Sequence, residues 1–75
     1  MLSEQELNAL AKIMGVSFSF GAPVDIMGLP VWEAIISKAD EPHNVICLSM
    51  YKHSKVEAMN DAWINFMNNR VLSNL

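Results

Sequence analysis

The sequence predicts an α+β fold: a small two-layer sandwich with three helices on one face of a three-stranded mixed sheet, in the order α-β-β-α-β-α. Three observations carry this expectation. Ser3-Glu4-Gln5-Glu6 and Ser54-Lys55-Val56-Glu57 both have the Ser-x-x-Glu spacing of a helix capping box. Val16-Ser17-Phe18-Ser19-Phe20 alternates strictly between apolar and polar residues. Val45 to Tyr51 is a short apolar run rich in strand formers. A mostly α-helical chain is the alternative, because periodicity alone does not separate a buried strand from a buried helical segment of that length.

The first helix is expected from about Ser3 to Met14. Leu7, Leu10, Ile13 and Met14 follow the capping box at helical spacing, and Gly15 suits a left-handed helix end. A strand over Val16–Phe20 places Val16, Phe18 and Phe20 on one face and the two serines on the other. Gly21-Ala22-Pro23 reads as a hairpin loop, after which Val24-Asp25-Ile26-Met27 pairs back until Gly28 ends it. Pro30 fits the first turn of a helix, and Trp32, Ile35, Ile36 and Ala39 line one side of the run behind it, so a second helix is expected over Pro30 to Ala39.

Asp40 to Asn44 is a turn, and Val45–Tyr51 is the third strand, parallel to the second through a right-handed crossover. The last helix starts at Ser54 and runs nearly to Leu75, with Val56, Met59, Trp63, Phe66, Met67 and Arg70/Val71 at three-and-four spacing. Strand parity then places Val16, Phe18, Phe20, Ile46, Leu48 and Met50 under the helices. It leaves Ser17, Ser19, Asp25, Met27, Val45, Cys47, Ser49 and Tyr51 on an uncovered face.

Seventy-five residues suit one small domain, near the lower size at which a single core outweighs the conformational entropy lost on folding. The chain is 52% hydrophobic and 17% charged, a composition that folds and leaves some apolar side chains at the surface. Its net charge of −3 and pI near 5.1 argue against affinity founded on neutralising phosphates. Lys52 and Lys55 flanking His53 form the one local cation concentration, a candidate anion contact at the start of the last helix. Cys47 is the single cysteine, so no internal disulfide is available, and a reducing compartment fits. The acidic first residues lack the order of a secretion signal, and no apolar run approaches the roughly 20 residues of a membrane span, so a cytoplasmic location is expected.

No residue set forms a recognisable active site, and no cofactor motif is present. His43, Cys47 and His53 resemble zinc ligands by type alone. On a strand, His43 and Cys47 stand about 13 Å apart, too far to share one ion. Cys47 beside His53 lacks an orienting group and an oxyanion hole, and an apolar run is where a thiol packs rather than reacts.

The expectation is therefore a non-enzymatic protein-interaction module, a regulator or inhibitor of a larger protein, with Asp25, Met27, Tyr51, Met67 and Leu72 as its contact residues. Long apolar side chains anchor such contacts, flexible methionines adapt to a partner, and acids steer a basic one. The alternative is a homodimer whose apolar surface is consumed by self-association and whose copies combine Lys52, His53 and Lys55 into a weak anion or nucleic-acid site.

Overall fold

A computed structural model describes residues 1–21 and 24–73, and the side chains of all of these but Val24, Ile26 and residues 70–73. Helix α1 spans Glu4–Met14. Its capping box forms reciprocally: the Glu6 N–H donates to Ser3 Oγ and the Ser3 N–H donates to Glu6 Oε1, both at 3.1 Å. Gly15 ends the helix at φ 73°, a left-handed conformation that glycine adopts without a Cβ clash.

Five strands follow: β1 (Val16–Phe20), β2 (Val24–Ile26), β3 (Leu29–Val31), β4 (Ala34–Lys38) and β5 (Glu41–Leu48). Helix α2 (Lys55–Ser73) follows β5. The fold is α+β with two helices, and the second helix expected over Pro30 to Ala39 is instead β3 and β4. Residues 34–38 are needed as the partner of β1, with Phe18 opposite Ile36 and Phe20 opposite Ala34. β-branched Ile35 and Ile36 favour that pleated surface.

The main sheet has the order β1-β4-β5 and is antiparallel throughout. The expected parallel crossover is absent because no helix intervenes to carry it; β4 turns directly into β5 through Ala39-Asp40, with Lys38 opposite Glu41. β2 does not pair back onto β1. It pairs with β3 through a two-residue turn in which Met27 (φ 55°) and Gly28 (φ 78°) both take positive φ, as a type I′ hairpin requires.

Both helices lie on one face of the main sheet, α1 against β1 and α2 against β4 and β5. Between them is one buried cluster: Leu7 and Ala11 of α1, Val16, Ala34 and Ile36 of the sheet, and Ala58, Met59, Ala62, Trp63 and Phe66 of α2. Phe18, Phe20, Trp32 and Cys47 pack against it. Trp63 joins the layers, its ring centroid 6.2 Å from Phe18 and 5.3 Å from Phe66. Ser54 caps α2 by accepting the Glu57 N–H at 3.1 Å.

The inward residue of β5 is Cys47, opposite Ile36, which overturns the parity that placed Ile46, Leu48 and Met50 in the core. Alternation about Cys47 turns Ile46 and Leu48 outward, and since residues 45–51 are apolar on both parities their pattern does not choose the buried face; the register shift between Ile36 and Ser37, which leaves Ile46 as an extra residue, turns Val45 outward as well. A bulge of this kind reverses the side-chain alternation on either side of it.

Candidate interaction surface

The face of the main sheet turned away from the helices is built by two cross-strand rows. One is Ser19, Ile35 and Leu48; the other is Ser17, Ser37 and Val45. Ser37 is buried and Ile35 half-buried, so the exposed apolar part of this face is supplied by β5. Val45 is 49% exposed and Leu48 46% exposed, with Ile46 beside them at the bulge. The exposed run continues through Met50 and Tyr51 in the loop that leads to α2. Of the residues expected on this face, Ser17, Ser19 and Val45 are there. Cys47 lies under the helices, and Ser49 is buried, its Oγ accepting the Ala34 N–H at 2.8 Å.

The five residues expected to contact a partner do not converge. Asp25 and Met27 sit on the β2–β3 hairpin, with Met27 at the turn and 95% exposed. Tyr51 is exposed in the loop before α2, Met67 is partly exposed on α2, and the side chain of Leu72 lies outside the described residues. Ile46 and Leu48 were not expected at the surface, nor half-buried Ile35 on the same face. The signal that could have found Ile35 is the alternation of Trp32, Ala34 and Ile36, all of which pack on the core side.

Lys52 and Lys55, which flank His53 at the start of α2, are engaged separately. Lys55 Nζ lies 2.9 Å from Glu4 Oε1 and 4.9 Å from the centre of the Phe20 ring, so its charge is directed at α1. Lys52 is held by its backbone, which exchanges hydrogen bonds with Trp32 at 2.6 and 2.9 Å. Its side chain lines a shallow depression of about 330 Å³ together with Met1, Glu57, Asn60, Asp61 and Ile64. His53 is exposed. Two carboxylates at the rim of that depression work against binding a phosphate there.

Polar side chains of α2 fasten the neighbouring segments. Asn60 Oδ1 accepts the Leu2 N–H at 3.0 Å, while Asn60 Nδ2 donates to the carbonyls of Leu2 and Val56, both at 2.9 Å. Asp61 Oδ2 accepts the Met50 N–H at 2.8 Å, and Asn65 Nδ2 donates to the Leu48 carbonyl at 3.1 Å. The Cys47 S–H donates to the Ala62 carbonyl at 3.5 Å, and burial pushes its thiol above the ordinary value, which disfavours the thiolate. Among the described residues no group of three His, Cys, Asp or Glu side chains is placed to hold a metal ion, and His43, Cys47 and His53 do not come together. No helix among the described residues is long and apolar enough to cross a membrane. Comparison with protein-family models, with curated proteins and with solved structures gives no match in any of the three.

Proposed function

We propose that this chain is a non-enzymatic interaction module that docks on a larger protein through the helix-free face of its sheet, as a regulator or inhibitor of that protein. The observation that supports this reading most is the cluster of Ile35, Val45, Ile46 and Leu48 on a face that no helix covers, extended by Met50 and Tyr51. Large side chains held on a rigid sheet lose little conformational freedom when a partner covers them, which is how a few residues come to dominate an interface. Met27 supplies a second contact from the hairpin tip, where a flexible thioether adapts to the surface it meets. The net charge of −3, with Asp25 on the hairpin, favours a basic partner and speeds the encounter.

Leu48 tests the reading because its side chain is already in water and its replacement leaves the core intact. A tagged wild-type chain is expected to retain a stoichiometric partner protein from the cells that produce it, and Leu48→Asp to lose that partner by at least tenfold while keeping its circular dichroism spectrum. Equal retention by both chains, or a wild-type chain that retains nothing, rejects docking through this face.

A further inference from the structure

The two edges of the main sheet are treated in opposite ways. β5 is closed to further pairing: Pro42 lacks an N–H, the bulge at Ile46 bends the strand, Asn65 occupies the Leu48 carbonyl and Asp61 takes the Met50 N–H. β1 has none of these devices. The Ala39 N–H donates to the Gly15 carbonyl and the Gly21 N–H donates to the Glu33 carbonyl. Antiparallel alternation then turns the N–H and C=O groups of residues 17 and 19 toward β4, and those of Val16, Phe18 and Phe20 outward. Those outward groups meet no partner among the described residues. The strand is regular over its five residues and carries no proline and no charged side chain.

α2 covers mainly two strands, β4 and β5, whereas α1 packs mainly on β1 and on α2. Helices pack about 8–10 Å apart and strands about 4.8 Å apart, so two helices span four strands, and this sheet has three. α1 therefore overhangs the free edge. At 100° per residue, Glu4 lies on the flank that meets Lys55 of α2, and Glu6, Leu10 and Ile13 lie on the opposite flank, above the outside of β1. Ile13 is 79% exposed there.

We infer that the β1 edge is a strand-addition site that takes an extended segment of a partner protein as a fourth strand beneath α1. This rests on the reading of the chain as an interaction module and adds a second, separate contact to it. The incoming segment alternates: its apolar residues point at Leu10 and Ile13, and its small or polar residues extend the Ser17/Ser19 surface. The Glu6 carboxylate on the same flank favours a Lys or Arg in that segment. A second copy of this chain does not fit the position. Pairing β1 with β1 would bring the two α1 helices within about 5 Å, inside their packing distance.

The test pans a display library of random twelve-residue peptides against the full chain and follows amide exchange on binding. Enriched peptides are expected to alternate apolar residues and to carry Lys or Arg, and the amides of Val16, Phe18 and Phe20 to exchange at least tenfold more slowly when peptide is bound. Chemical synthesis with an N-methylated Phe18 amide removes one outward donor and keeps the ring in the core; it should weaken binding at least tenfold, while Leu48→Asp leaves it unchanged. A library without enrichment, enriched peptides that do not slow those three amides, or self-association that protects them instead would overturn the strand-addition site. Failure of docking through the open sheet face is read separately, from loss of the native partner in Leu48→Asp.

Discussion

At the scale of single residues, the polar groups of α2 do structural work that their solvent-friendly character hides. Asn60 satisfies both backbone groups of Leu2 and one carbonyl of its own helix, so one amide positions the segment that leads into α1. Cys47 does the opposite and keeps a proton-bearing group out of water. Its thiol is raised by burial alone, so the unfolded chain ionises first as pH rises. The unfolded state then binds fewer protons than the folded one, and stability falls with pH. That contribution is fully present below the unfolded thiol's value and is lost between that value and the raised one. Urea midpoints should therefore drop between pH 7 and pH 10 by more in the wild type than in Cys47→Ala, from which the titrating group is gone. Parallel pH dependence in the two proteins would remove the thiol as the cause.

At the scale of elements, the type I′ turn of the β2–β3 hairpin is the place where local chemistry and local conformation disagree. Gly28 accepts φ 78° without cost, but Met27 holds φ 55° with a full side chain. Met27→Asn creates the Asn-Gly pair that such turns favour and should stabilise the protein by about 0.5–1 kcal/mol, read as a higher thermal midpoint. If Met27 also contacts a partner, the same variant folds better and binds less. α1 was legible in the sequence because its signals are local: Ser3, Glu6 and Gly15 each act within one turn of the helix they bound. The strand over Val16–Phe20 was legible for the same reason, since alternation is written in five consecutive residues. Pro30 to Ala39 was misread as a helix because Trp32, Ile35, Ile36 and Ala39 satisfy helical spacing while Trp32, Ala34 and Ile36 satisfy strand spacing. Only the need of β1 for a partner decides between them. The exposed surface of β5 was hidden because residues 45–51 are apolar on both parities, so nothing local says that Cys47 rather than Leu48 is buried, and the bulge at Ile46, which turns Val45 outward too, leaves no mark in composition.

At the scale of the whole molecule, the two layers are joined through one cluster, and that cluster has little redundancy. A chain of 75 residues has a folding free energy of about 4–11 kcal/mol at the usual 0.05–0.15 kcal/mol per residue. Trp63 is 9% exposed, touches Phe18 of β1 and Phe66 of its own helix, and belongs to the same cluster as Leu7 and Ile36. Truncating a buried aromatic to alanine costs about 3–5 kcal/mol, a large part of that total, because the cavity left behind only partly closes. Trp63→Ala should therefore unfold in much less urea than the wild type. Met59→Leu, which conserves volume at a fully buried position, should cost less than about 1.5 kcal/mol and keep a cooperative transition. Together the two variants separate the loss of the joint between layers from a general sensitivity of α2 to substitution. Similar midpoints for both would mean that the sheet and helices are held by something other than the cluster around Trp63.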